Sequence, residues 1–173
     1  MNTQRLATTA LAIAIVFVLV RVVQIPIPAT GGYTHLGAVG EVFVAIAFGP
    51  IVGAVAAGVG AALADLTSGF GSFAPLTLIA HGALGLCVGW LAAKKTWVSM
   101  IIAWIIGGLA LVAVYFLGEA TVYGFGVAGA AAEVPINLFQ VGLGVIGILL
   151  YQAVRRAFPQ IEQMGQPRSF KEE

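Results

Sequence analysis

Residues 31–69 read GGYTHLGAVGEVFVAIAFGPIVGAVAAGVGAALADLTSG, and the fold turns on how this stretch is read. Two apolar runs, 36–48 and 51–66, meet at Gly49-Pro50. A proline opens a helix but cannot continue one, so the Gly-Pro step predicts two helices folded into an antiparallel hairpin. The acids of the stretch, Glu41 and Asp65, lie near its two far ends. The hairpin therefore delivers both carboxylates to the same side of whatever it crosses.

The rest of the chain says what it crosses. Of 173 residues, 60% are hydrophobic and 9% charged, and the mean hydropathy is +1.03. A soluble domain carries about 25% charged residues, so this chain lacks the groups to coat a water-facing globule and reads as an integral membrane protein. A net charge of +1 without a basic block excludes nucleic acid as an expected partner. The single cysteine, Cys87, sits in an apolar run and supports neither a disulfide nor a cysteine metal site. Residues 6–24 are too long for a signal-peptide core and lack a small-residue cleavage site, so they are read as the first span.

Apolar runs at 6–24, 36–48, 51–66, 76–93, 98–123 and 134–154 predict an all-α membrane protein, a six-transmembrane-helix bundle. The second run gives only about 20 Å of helix against a hydrocarbon core of about 30 Å, so protein must pack around its outer end. Residues 25–35, IPIPATGGYTH, read as a loop because Pro26 and Pro28 block helix. With the N-terminus inside, Arg5, Lys94, Lys95, Arg155, Arg156, Arg168 and Lys171 are cytoplasmic and Arg21 alone is outside. That bias predicts both termini cytoplasmic. The expected organisation is a membrane domain over 1–157 and a loosely ordered polar cytoplasmic tail over 158–173.

On this frame Glu41, Asp65, His81, Glu119 and Glu133 fall near the outer ends of five helices, and Tyr33 and His35 lie in the first outer loop. The inner half is almost wholly apolar. The pattern describes a bowl open to the outside; a channel needs polar lining through the full thickness. Glu133, Asn137 and Gln140 lie within about 60° of one another on a helix. Polar groups at that depth are costly, so they either contact a ligand or hydrogen-bond between helices. Gly49, Gly53, Ala57 and Ala61 make a small-residue ridge at four-residue spacing, and Asp65 continues it, which points Asp65 at protein. An Arg21–Asp65 pair and a ligand contact are both open readings for that carboxylate.

His81, Gly85, Gly89 and Ala93 repeat the device on the fourth run. No HxxxH or HxH spacing supports a metal, and none is expected. Residues 89–96, GWLAAKKT, imitate a phosphate-binding loop, but Lys94 replaces the second glycine and the segment ends a membrane helix. Tyr33, Phe70, Phe73, Tyr123 and Phe125 offer faces for stacking on a ring. Four outer acids against one arginine favour a donor-rich or weakly cationic ligand. An intramembrane enzyme using Glu119 or Glu133 with His81 is the weaker alternative, because no nucleophile accompanies the acids. A stand-alone transporter is another, weakened by the apolar inner half.

Several short motifs occur in a telling order: Tyr33-Thr34-His35-Leu36-Gly37, Phe48-Gly49-Pro50, Ala64-Asp65-Leu66 before Gly69, Ala74-Pro75 with Gly82, and Pro135 with Asn137 and Gln140. In this order over residues 5–157 the chain resembles the substrate-binding S components of energy-coupling factor (ECF) vitamin transporters, in the riboflavin, pyrimidine and pyridoxine branch. The resemblance implies a non-catalytic binding subunit in a prokaryotic plasma membrane, without a cofactor. It implies a water-soluble vitamin or precursor held in an outward bowl. The partners it implies are a membrane coupling protein and two ATPase subunits. By their own positions in the bowl, the candidate substrate contacts are Tyr33, His35, Glu41, His81, Glu119, Tyr123, Glu133, Asn137 and Gln140. Ala10 and Ala14 match the family's AxxxA surface for the coupling protein, although bundle packing explains the same pair. Nickel and cobalt members carry histidine after the start methionine; Asn2 stands here instead.

Overall fold

The structure, a computed structural model, describes residues 3–27 and 32–164. Helix α1 (Thr3–Val22) leads into an antiparallel pair of strands, β1 (Gln24–Ile27) and β2 (Gly32–His35). Then come α2 (Gly37–Phe48), α3 (Pro50–Ser68), α4 (Ala74–Leu91), α5 (Trp97–Thr121), α6 (Gly126–Gly142), α7 (Gly144–Ala157) and a single turn, α8 (Ile161–Met164). The segments α1, α3, α4, α5 and the joined α6–α7 are long and apolar enough to cross a membrane. Helix α2 is shorter and sits in the middle of the bundle, touching α1, α3, α4 and α7.

The central hairpin forms as its sequence predicts. Gly49 adopts φ +84°, a left-handed value that costs a residue without Cβ little, and its amide caps α2 on Ala45 O. Pro50 then opens α3. Close packing follows from the glycine ridges: a Cβ added at Gly85 of α4 would lie 2.3 Å from the carbonyl oxygen of Gly53 on α3. Gly53, Ala57 and Ala61 are buried, and Asp65 continues the ridge at 4% exposure. Outward-facing residues are apolar, among them Leu11 and Val18 on α1 and Ile101, Ile105 and Leu109 on α5. A water-facing protein would place polar side chains there.

Three expectations need correction. Residues 24–27 and 32–35 pair in register, with Pro26 opposite Tyr33, where the sequence reads as loop. Proline is compatible with such an edge strand, which needs no donor on its free side. Helix α6 begins at Gly126, eight residues before the expected start of the last span, and that span is broken at Leu143. Trp104 Nε1 donates to Val141 O at 2.7 Å, satisfying a carbonyl beside the break. Finally, Ile161 is 4% exposed and α8 packs on α2 and α7, so the first part of the polar segment is seated on the bundle. Residues 165–173, with Arg168 and Lys171, and Asn2 lie outside the described residues.

Candidate functional site

The end of the bundle away from Lys94, Lys95, Arg155 and Arg156 holds a cavity of about 550 Å³, counting its open mouth. It is bounded by the β1–β2 hairpin and by α3, α4, α5 and α6. Each element contributes polar groups by helical spacing. Helix α3 presents Asp65, α4 presents Thr77, α5 presents Tyr115 and Glu119 one turn apart, and α6 presents Glu133, Asn137 and Gln140. Phe70 and Phe73 add apolar faces.

The hairpin is tied across this cavity by three side-chain hydrogen bonds. Gln24 Nε2 donates to Ser68 Oγ at 2.8 Å, Tyr33 OH to Asp65 Oδ1 at 2.5 Å, and Thr34 Oγ1 to Gln140 Oε1 at 3.1 Å. Burial first, and then Asp65, push the Tyr33 hydroxyl well above its ordinary range, so it remains a donor. Thr77 lies against the same carboxylate, and its Oγ1 accepts from Tyr115 OH at 2.9 Å. Asp65 is thus served by hydroxyl groups. Among the described residues no ion pair joins it to Arg21, whose side chain is exposed. Of the two readings open for Asp65, the Arg21 pair does not form among the described residues; β2 brings the Tyr33 phenol to the end of α3, where it donates to Asp65.

His35 forms the floor. Its Nδ1 accepts from the Gly37 amide at 3.0 Å, which makes the ring neutral with its proton on Nε2. Burial, reinforced by His81, holds it well below the ordinary histidine range. Beneath lie His81 and Glu41, both fully buried, with His81 Nδ1 2.8 Å from Glu41 Oε1. The His35 and His81 rings are 5.4 Å apart. Neither Glu41 nor His81 borders the cavity; they stand one layer below His35.

Tyr123 also stands off the cavity, at its rim. It stacks on Phe73 at 4.9 Å and donates to Ser72 O at 2.7 Å. Thus Tyr33, His35, Glu119, Glu133, Asn137 and Gln140 share one cavity, whereas Glu41, His81 and Tyr123 support its walls. Thr77 and Tyr115 are lining residues that the sequence reading passed over. Their mark was present: Thr77 lies four residues before His81, and Tyr115 four before Glu119. Among the described residues no cluster of three metal-ligating side chains occurs.

The electrostatics of the lining are one-sided. Among the described residues that line the cavity, Asp65, Glu119 and Glu133 occur without a lysine or arginine. Asp65 has its hydroxyl partners, but Glu119 Oε2 is buried and has no hydrogen-bond partner among the described residues. A buried acceptor left open is costly unless something else supplies the donor.

Residues 1–156 match the family described as "ECF-type riboflavin transporter, S component". The chain belongs to this family. It is 38% identical over 143 residues to an uncharacterized protein of Pyrococcus woesei, covering 81% of this chain and 95% of that one. It is 30% identical over 171 residues to the thiamine precursor transporter HmpT of Lactococcus lactis subsp. cremoris, covering 98% of this chain and 95% of the relative. Its fold matches the solved S component of a bacterial ECF transporter with TM-score 0.71, at 22% identity and over 91% and 98% of the two chains. This S component is therefore a multi-pass membrane protein of vitamin uptake, and its polar cavity is the natural place to look for the cargo.

Proposed function

We propose that this S component binds a small ring-shaped vitamin or vitamin precursor, rich in hydrogen-bond donors, in the cavity between the hairpin and α3–α6. One observation carries the reading: three carboxylates line that cavity with no lysine or arginine among them, and one carboxylate oxygen is unpartnered. Pyrimidine, pyridoxine and thiamine-like molecules offer amino and hydroxyl donors on a flat ring, and Phe70, Phe73 and Tyr33 offer faces to stack on it. The resemblance to the thiamine precursor transporter supports this choice. Riboflavin is the second reading, favoured by the family description.

Glu119, Glu133, Asn137 and Gln140 make the polar contacts in this reading, and Tyr33 and His35 close the site. The protein binds and releases its cargo without transforming it. The bundle has six spans, with α2 as the short one and both termini cytoplasmic, in a prokaryotic plasma membrane. A membrane coupling protein and two ATPase subunits drive uptake. Ala10 and Ala14 are exposed on α1 one turn apart, and support docking of the coupling protein there.

Native mass spectrometry of the protein purified from its own host names the ligand. A retained pyrimidine, pyridine or thiamine-like vitamin at one per chain is expected; retained flavin moves the assignment to the second reading. The paired variant Ala10→Trp and Ala14→Trp is expected to lose assembly with the ATPase module and keep ligand affinity. Loss of ligand affinity instead makes the strip part of the bundle.

A further inference from the structure

The opposite end of the bundle carries a second hollow, of about 850 Å³ counting its open mouth. It lies at the α2–α3 turn, where Gly49-Pro50 packs on Gly89 near the end of α4. The recess behind that turn has an apolar back wall that includes Ala47, Pro50 and Gly89. Its rim is cationic: Lys94, Lys95 and Arg155. Among the described residues the one acid on the rim, Glu162, is taken up in an ion pair with Arg155. Lys95 is seated rather than loose. Its Nζ donates to Glu162 O at 3.1 Å and approaches Ala47 O at 3.5 Å, and Arg155 Nη1 holds its carbonyl at 3.2 Å.

The level of this recess is marked by tryptophan. Trp90 and Trp97, 71% and 47% exposed, flank Lys94 and Lys95 on either side in sequence. Exposed tryptophans on a membrane bundle settle at the headgroup layer, where phosphates lie. A recess that is apolar behind and cationic in front, opening at phosphate level, fits an anionic amphiphile better than a soluble anion.

We propose that the hollow between the Gly49-Pro50 turn, the end of α4 and α7–α8 is a binding site for an anionic phospholipid. The phosphate meets Lys94 and Lys95, and the first acyl methylenes lie on the apolar wall. The site is separate from the vitamin cavity, and does not depend on which cargo that cavity takes.

Native mass spectrometry of the full chain tests it, in detergent doped with equal amounts of phosphatidylglycerol and phosphatidylcholine of matched acyl chains. One phosphatidylglycerol per chain is expected, retained at least tenfold over phosphatidylcholine. Lys94→Gln with Lys95→Gln is expected to bring the ratio near one. Lys95 also braces the fold, so Lys94→Glu, at an exposed position, is the second variant, with a fall of threefold or more expected. Equal retention of both lipids by the unaltered protein overturns the proposal. So does a tenfold preference that both variants keep, since the charges then act from elsewhere. Displacement of the lipid by millimolar inorganic phosphate overturns the amphiphile in favour of a soluble anion. Parity between lipids together with lost ATPase-module assembly in Lys94→Glu assigns the surface to a protein instead.

Discussion

Two hollows lie at the two ends of one short helix, and they are lined in opposite ways. Toward the hairpin, the space beyond α2 is bordered by Asp65, Glu119 and Glu133. Toward Gly49-Pro50, it is bordered by Lys94, Lys95 and Arg155. The contrast lies in how the charges are satisfied. At the basic end Lys95 finds carbonyl oxygens, Arg155 finds the Lys95 carbonyl and Glu162, and Lys94 is exposed. At the acidic end one hydroxyl chain satisfies Asp65, while Glu119 Oε2 is left open. The open Glu119 acceptor supports the proposal that a donor-bearing guest binds in the hollow beside the hairpin.

The partition between the hollows is the packed layer of α2, α3 and α4, and breaking it should have the largest effect. Gly85→Leu puts a side chain into the Gly53 carbonyl, where even a Cβ has no room. Overpacking of this kind costs about 3 kcal/mol or more where backbone must move. Little folded protein is expected by size-exclusion chromatography, and a Gly85→Leu protein of ordinary melting temperature would refute the close packing.

Next in size is removal of the open charges. Glu119→Gln with Glu133→Gln is expected to weaken ligand binding about 100-fold by titration calorimetry, as hydrogen bonds to charged groups contribute about 1.5–3 kcal/mol each. The empty protein should be no less stable, since a buried unpaired carboxylate has been removed. Tyr33→Phe comes third. It leaves Asp65 short of a donor and loosens the hairpin, and ligand release in stopped flow should quicken about tenfold.

The smallest effect is that of pH on His35. Its ring is neutral when folded and held below its ordinary value of 6.5, so the unfolded chain binds the extra proton. Its contribution to stability is present above about pH 6.5 and lost as pH falls below, by at most about 1.4 kcal/mol per pH unit. A melting temperature that falls between pH 6.5 and 5.5, with a smaller fall in His35→Gln, is expected.

Much of this was legible in the sequence because a membrane simplifies the reading. Apolar runs mark helices, and the few carboxylates must face inward. The Gly49-Pro50 hairpin, the glycine ridges and the gathering of Glu119, Glu133, Asn137 and Gln140 follow from spacing alone. What spacing cannot give is depth. Glu41 and Glu119 both read as acids near the acidic end, yet Glu41 lies under His35 and pairs with His81. Partner choice was also hidden: Asp65 meets Tyr33 because two strands form where the prolines suggest only loop. Thr77 and Tyr115 carry no charge to mark them, and an uncharged hydroxyl is cheap to bury beside an apolar run, although each sits one turn from His81 or Glu119.

The central claim is that the carboxylate-lined cavity takes a donor-rich ring. Titration calorimetry of the ligand-free protein against the pyrimidine precursor of thiamine, thiamine, pyridoxine and riboflavin tests it most directly, repeated with Glu119→Gln. The account predicts tight one-to-one binding of one of the first three, weakened at least tenfold by the substitution. Tight binding of riboflavin alone, undisturbed by Glu119→Gln, would contradict it.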